Sequence, residues 1–272
     1  MKTRSPSIDI DPTLKARFAE DGYCIVRGLY TPEELEPVRN RLEELWEGRH
    51  DYPWPNEKLS TNDPNDRNTP GGNYRSGSLQ LPASLESVFS TFARNARLVS
   101  VMETLLGGPV KPFTDQTIFK PGIQKANRSF YHQDTFYWRL RPGVCINAWI
   151  ALDEVDRDSC ALAFLPGSHR NWRIAFHEEY WDEVRFSRGK DGKAVTRRRI
   201  PQSAIDDSTE ILTPGKPGDA FFFNNYTWHR AEPNLSGLNK AAYAIACQLD
   251  RTDNPLSEKE LEALTDKAPA KP

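Results

Sequence analysis

From residue 110 onward the sequence is a succession of short apolar runs, 113–120, 129–134, 144–153, 160–165, 220–224 and 241–249, separated by polar segments rich in turn-forming residues. Runs of this length, enriched in β-branched and aromatic residues, read as strands, whereas packed helices need longer stretches at a 3.6-residue period. Many short strands behind a helical start restrict the chain to helices packed on an antiparallel barrel or on a double-sheet jelly roll. Two of the runs alternate cleanly. Val144, Ile146, Ala148, Ile150 and Leu152 share one face and read as packing surface, while Cys145, Asn147, Trp149 and Ala151 share the other. In the last run Ala241, Tyr243, Ile245, Cys247 and Leu249 form the apolar side. Opposite them stand Lys240, Ala242, Ala244, Ala246 and Gln248, mostly small side chains that leave room for a cavity with polar ends.

The first 108 residues are expected to support this core. Residues 14–20 suggest a short helix and Tyr23-Cys24-Ile25-Val26-Arg27 a strand. Thr31-Pro32-Glu33-Glu34 has the pattern of a capping box with proline at the first helical position, and Leu35, Val38, Leu42, Leu45 and Trp46 continue it as a helical stripe. Residues 50–82 are rich in Pro, Asn, Asp, Gly and Ser and read as a long loop, a candidate to reach over a pocket mouth. Two short helices within 83–106 end at Gly107-Gly108-Pro109. The organisation expected is one domain over 1–272: helical support and loop over 1–108, a β core over 109–250 with a polar insertion at 170–214, and a C-terminal helix and tail over 251–272.

The 272-residue chain carries 36 basic and 38 acidic side chains, a formal net charge of −2. That balance suits a soluble globular protein and gives no overall attraction to nucleic acid or anionic membranes. No run reaches the ~18 apolar residues of a membrane helix, and residues 1–13 lack the apolar centre of a secretory signal. A cytoplasmic protein with neither nucleic-acid nor membrane partners is therefore expected. Cys24, Cys145, Cys160 and Cys247 lie in apolar segments without a Cys-x-x-Cys pair, which points to reduced, mostly buried thiols.

Chemistry enters with Phe130-Tyr131-His132-Gln133-Asp134 and Thr227-Trp228-His229. If 129–134 is extended, His132 and Asp134 project from one face and Gln133 from the other. His229, just beyond the aromatic run 220–226, must be delivered by the fold. Two imidazoles and one carboxylate on one face of a metal, with the other positions open, form the ligand set of non-haem Fe(II) oxygenases. A His-x-Asp triplet is too short to decide the matter alone. His177 and Glu179 offer a competing pair, but Phe176-His177-Glu178-Glu179-Tyr180-Trp181 is charged and irregular and reads as a surface segment. His169, in Pro166-Gly167-Ser168-His169, is expected to close a turn and hydrogen-bond locally.

Six ordered signals together resemble the phytanoyl-CoA dioxygenase-like family of Fe(II)/2-oxoglutarate oxygenases, over about residues 18–249. They are Asp21-Gly22-Tyr23-Cys24-Ile25-Val26-Arg27-Gly28 with 31–35, Phe119-Lys120-Pro121-Gly122, and Tyr131-His132-Gln133-Asp134. Then come Asn147-Ala148-Trp149-Ile150-Ala151-Leu152-Asp153, Leu165-Pro166-Gly167-Ser168-His169, and Pro217-Gly218-Asp219 before His229. The resemblance implies a mainly β protein with flanking helices, its core a double-stranded β-helix (a cupin-like jelly roll), and Fe(II) held by His132, Asp134 and His229. It also implies oxidative decarboxylation of 2-oxoglutarate by O2 to succinate and carbon dioxide, coupled to oxidation of an organic substrate. Related halogenases carry a small residue in place of the carboxylate so that chloride can reach the metal. Asp134 therefore favours hydroxylation, or a related desaturation or cyclisation.

For the distal carboxylate of 2-oxoglutarate the family normally places an Arg where this chain has Lys240, and often a Ser or Thr where it has Ala231. Lysine offers a compact point charge in place of a bidentate fork. On the resemblance, Lys240 is the expected main anchor, assisted by Lys120 or Gln116, with Trp149 lining the cosubstrate's chain. Phe136, Trp138, Arg139 and Tyr74 are the expected substrate contacts, with Arg75 and Tyr137 beside them. Arg185, Arg188, Lys190, Lys193, Arg197, Arg198 and Arg199 crowd the insertion, a solvated loop or a device that steers an anionic substrate. The expected function is hydroxylation of a small molecule. Two alternatives stand beside it: a catalytically silent metal- or ligand-binding jelly roll, and an iron oxygenase that draws its electrons from the substrate instead of 2-oxoglutarate. Succinate formation coupled to substrate oxidation separates the three.

Overall fold

The helices form where the capping and the apolar stripes place them. A computed structural model describes residues 11–46, 59–60, 78–79, 81–120, 129–180 and 197–268. Helix α1 (Pro12–Asp21) starts at Asp11, whose carboxylate accepts from the Thr13 N–H, and ends at Gly22 with φ 83°. In α2 (Pro32–Trp46) the Thr31 N–H donates to the Glu34 carboxylate at 2.8 Å, one arm of the expected capping box. Leu35, Val38 and Leu42 are buried along one stripe of α2, with Leu45 partly buried beside them. Helix α3 (Ser87–Ala93) and helix α4 (Ala96–Leu106) follow, the latter capped by Asn95 and closed by Gly107 in the left-handed conformation.

Strand β1 (Tyr23–Val26) lies between α1 and α2. Strands β2 (Leu59–Ser60) and β3 (Ser78–Leu79) pair with each other and form a short antiparallel strap. The Leu79 N–H donates to Thr117 Oγ1 at 3.0 Å and ties that strap to β4 (Val110–Lys120). After β4 come the short helix α5 (Asp134–Trp138), β5 (Cys145–Ala151), β6 (Leu162–Phe164), β7 (Glu178–Tyr180) and β8 (Arg197–Arg199). The chain continues through β9 (Ile211–Thr213), β10 (Ala220–Asn224), β11 (His229–Ala231) and β12 (Lys240–Leu249), and ends in α6 (Glu258–Leu264), started by a Ser257–Glu260 capping box.

Two sheets face each other. The larger has the order β1-β10-β5-β12-β4 and the smaller β11-β6-β9, both antiparallel throughout. This is the expected jelly roll with helices on one outer face. The alternation read from β5 and β12 holds. Ile146, Ala148, Ile150, Leu152, Tyr243, Ile245 and Cys247 join Phe89, Leu98 and Met102 of the helices in the main core. Trp149, Ala151 and Ala242 instead join Leu162, Phe164, Phe221 and Phe223 between the sheets. The four cysteines are free and buried. Among the described residues no helix is long and apolar enough to cross a membrane.

One expected strand is not one. Residues 129–134 make a single bridge, His132 with His229, and Asp134 opens α5. The reason is local: the Thr135 N–H turns to the Asn225 carbonyl and the Arg139 N–H closes a turn on the Thr135 carbonyl, so the ladder stops after one rung.

Candidate metal centre

His132 and His229 stand opposite each other on that bridge, exchanging backbone hydrogen bonds of 3.2 Å in both directions. Directly paired residues project from the same face, which brings the two imidazole centroids to 4.3 Å. Gln133 is extended, with φ −118° and ψ 134°, so Asp134 returns to the side of His132 although it already belongs to a helix. The side-by-side placement expected for the pair is thus reached through one extended residue and a helix start.

The donor atoms converge without touching. His132 Nε2 lies 3.8 Å from Asp134 Oδ1 and His229 Nε2 lies 3.7 Å from Asp134 Oδ2. One ligand atom from each residue lies within 4.8 Å of the others. Each imidazole is oriented from behind: His132 Nδ1 meets the Phe130 carbonyl at 3.1 Å and His229 Nδ1 meets the Thr227 carbonyl at 3.0 Å. A carbonyl only accepts, so both Nδ1 atoms carry the proton and both Nε2 lone pairs face the gap. Asn147 Nδ2 donates to Asp134 Oδ2 at 2.8 Å and fixes the carboxylate plane.

The electrostatics suit a cation. Burial pushes the Asp134 carboxyl up to about 6 against the lowering pull of His132 and Asn147, and burial, joined by His132, holds His229 well below the ordinary imidazole range. A site that disfavours a bare carboxylate while presenting two neutral imidazole lone pairs is completed by a positive ion. Two histidines and one carboxylate suit Fe(II) in a site with open positions.

The residue between the ligands is heavily anchored. Gln133, fully buried, donates from Nε2 to the carbonyls of Arg173 and Tyr226, and its Oε1 accepts from the Ala175 N–H. Its own N–H donates to His177 Nε2 at 3.1 Å, while His177 Nδ1 donates to the Ala175 carbonyl at 2.8 Å. His177 is only 2% exposed and stacks on Phe136 at 4.1 Å. The segment read as surface is therefore, at His177, a buried brace, and both ring nitrogens are occupied; Glu179 pairs with Arg198 on the hairpin β7–β8. His169 lies in a turn, but its bond is long-range: Nε2 donates to the Ala19 carbonyl at 3.2 Å.

The other expected site residues are dispersed. Phe136 faces His177, Trp138 packs edge-on against Phe113 in a separate buried cluster, and Arg139 pairs with Glu258. Tyr74, Arg75, Arg185, Arg188, Lys190 and Lys193 lie outside the described residues. Near the triad stand Tyr137, with its ring centroid 6.5 Å from His132, and Phe130, two residues before it, which carries Tyr180 at 4.7 Å and the Arg199 guanidinium at 4.6 Å. Arg199 is itself paired with Glu178. Trp149 and Gln116 both stand opposite Ala244, on the inner face of the larger sheet. Lys240 and Lys120 are register partners at one end of that face. The Lys240 ammonium donates to the Glu154 carbonyl at 2.8 Å and that of Lys120 to the Glu232 carbonyl at 2.6 Å.

The roles of Asn147 and His177 were not singled out in the sequence, whereas Tyr137 stood among the expected substrate contacts. Asn147 left a signal, being the one polar residue inside 144–152, on the face away from the helices. Gly22 explains a further part of the pattern. Its φ of 83° suits glycine, and a Cβ there would lie 2.4 Å from Thr227 Oγ1, beside the carbonyl that orients His229.

A family model described as phytanoyl-CoA dioxygenase (PhyH) matches residues 18–242. A phytanoyl-CoA dioxygenase domain-containing protein 1 homolog from Caenorhabditis briggsae is 21% identical over 85% of this chain and 88% of its own. An ectoine dioxygenase from Stutzerimonas stutzeri (strain A1501) is 25% identical over 82% of this chain and 72% of its own. Among solved structures, EvdO2 from Micromonospora carbonacea var. aurantiaca complexed with 2-oxoglutarate superposes with a TM-score of 0.69 at 19% identity, covering 97% of this chain and 100% of that one. EctD from S. alaskensis with bound Fe gives 0.67 at 19% identity, covering 95% and 85%.

Proposed function

The chain belongs to the phytanoyl-CoA dioxygenase family and is an Fe(II)/2-oxoglutarate-dependent dioxygenase, and from that premise we propose that it hydroxylates a small organic molecule at a metal held by His132, Asp134 and His229. The observation that carries this reading is the convergence of two Nε2 atoms on the Asp134 carboxylate at 3.7 and 3.8 Å, with both Nδ1 protons already taken by backbone carbonyls. Bound there, Fe(II) supplies O2 activation coupled to decarboxylation of 2-oxoglutarate to succinate and carbon dioxide.

The chain's own residues supply geometry and exclusion. Asn147 holds Asp134 so that its oxygens face the imidazoles and do not swing away. Retention of this carboxylate is the feature that supports hydroxylation over halogenation. Ala242 and Ala244 keep the inner face shallow beside Trp149, leaving length for a dicarboxylate, and Lys240 with Lys120 at the far end of the same face offers positive charge for its distal carboxylate. Lys240 is the main anchor and Lys120 or Gln116 assists. Tyr137 and Phe130, 52% and 37% exposed, present the substrate-facing surface beside His132. Small-molecule oxidation is also what a similar protein, an ectoine dioxygenase, is named for, and EctD from S. alaskensis is described with 2-oxoglutarate and 5-hydroxyectoine.

Anaerobic titration of the apo-protein with Fe(II) and then 2-oxoglutarate tests this directly. The expected result is a visible charge-transfer band that is absent in His132→Ala, followed by succinate release coupled to substrate oxidation under air. Iron binding without the band overturns 2-oxoglutarate use at this site.

A further inference from the structure

Behind the triad lies a buried charge cluster that the reaction does not touch. Residues adjacent to the two histidines in extended chain project to the opposite face, and here they meet. Arg230, after His229, is 2% exposed, and its guanidinium carbon lies 5.6 Å from the ring centre of Tyr131, the residue before His132. Arg230 Nε donates to Glu210 Oε2 at 2.7 Å, and Nη2 donates to Glu210 and, at 2.9 Å, to Glu232. The Tyr131 hydroxyl donates to the same Glu210 Oε2. Glu210 immediately precedes β9, the far strand of the smaller sheet, so this one carboxylate reaches across the sheet to both segments that carry an imidazole.

Three charged groups out of water are costly, and Arg230 Nη1 has no hydrogen-bond partner at all. An apolar cluster would hold two strands together at less cost. A fan of charge-assisted bonds adds direction: it fixes the separation and the twist of the segments it joins. On the inner face the same segments share one paired rung, its two bonds both 3.2 Å, and hydrogen bonds between Ser129 and Ala231 to one side of it, while on the other side the ladder ends at α5. The rung is thus held from one side along the strands, and the charge cluster holds it from behind, where the Tyr131 and Arg230 side chains meet.

We propose that Glu210 and Arg230, with the Tyr131 hydroxyl, are positioning residues that set the His132 to His229 geometry before the metal arrives. The proposal rests on the reading that these two histidines hold iron. Arg230 and Glu210 touch no reacting atom; they act through the backbone of the ligands' neighbours.

Tyr131→Phe is the informative variant, because it keeps the ring against Arg230 and removes the hydroxyl that bonds to Glu210 from the His132 segment. Anaerobic Fe(II) titration of the folded variant is expected to show about tenfold weaker binding, the lower end of what losing a group that orients ligands costs. The iron and 2-oxoglutarate band is expected to shift, while the thermal midpoint of the apo-protein stays near that of the parent. Glu210→Gln, which keeps shape and acceptor, is expected to fall between the two. Unchanged iron affinity and an unchanged band in folded Tyr131→Phe overturn the proposal, provided His132→Ala abolishes binding. Wild-type iron affinity in His132→Ala instead overturns the ligand assignment itself.

Discussion

The two ends of the cavity face are built differently. At one end every candidate metal ligand is held by a neighbour: Phe130 and Thr227 orient the imidazoles, Asn147 the carboxylate, and Gln133 with His177 the peptide between them. At the other end Lys240 and Lys120 rest on the carbonyls of Glu154 and Glu232, which a dicarboxylate anchored there, as proposed, would have to displace. A metal site rewards fixed donors, because a few tenths of an ångström decide coordination. A flexible ammonium can change partners without disturbing a strand, so it suits a cosubstrate that comes and goes with every turnover.

Breaking the rigid end should give the largest effects. Asp134→Gly is expected to abolish hydroxylation, and His229→Ala to weaken iron binding by more than about a hundredfold; titration of a folded variant with parental affinity would sink the assignment. Asn147→Ala leaves all three ligands but frees the carboxylate, and about a tenfold loss in iron affinity or turnover is expected. Equal affinity there would mean that the carboxylate is held by the fold alone.

The flexible end should respond in the cosubstrate and not in the metal. Lys240→Ala is expected to raise the 2-oxoglutarate requirement at least tenfold, about 1.4 kcal/mol, with iron affinity unchanged. Lys120→Ala should do less. A larger effect in Lys120→Ala reverses their order, and no effect in either places the anchor on another residue.

The smallest effect concerns the brace. Burial holds His177 down to about 4 in the folded protein, against about 6.5 in an unfolded chain. The unfolded chain therefore binds the proton first, and stability should fall as pH drops from about 6.5 toward 4. His177→Gln should flatten that dependence, by on the order of 1 kcal/mol at pH 5 in chemical denaturation. A slope unchanged in the variant would assign the acid sensitivity to other groups.

The same contrast decides what the sequence could disclose. The faces of β5 and β12 were legible because a period of two survives any tertiary setting, and the histidines because few residue types can bind iron. The start of α5 at Asp134 was not, since it depends on Asn225, some ninety residues away, accepting one N–H. His177 misled for a related reason: Glu178 and Glu179 beside it are charged, yet they point along the hairpin to Arg199 and Arg198 while the imidazole turns inward. Composition of a segment does not report alternation over three residues. Lysines whose ammonium groups rest on carbonyls leave no trace in sequence that separates anchor from bystander.

Two candidate ligands on one antiparallel rung couple metal binding to the choice of fold. A slip of one residue between the 129–132 segment and β11 would send one imidazole to the outer face and bring Tyr131 or Arg230 inward. Only the native register presents both donors, so a metal bound by the pair would act as a proofreader of strand alignment, stabilising correctly zipped molecules by mass action and leaving misaligned ones to unfold and try again.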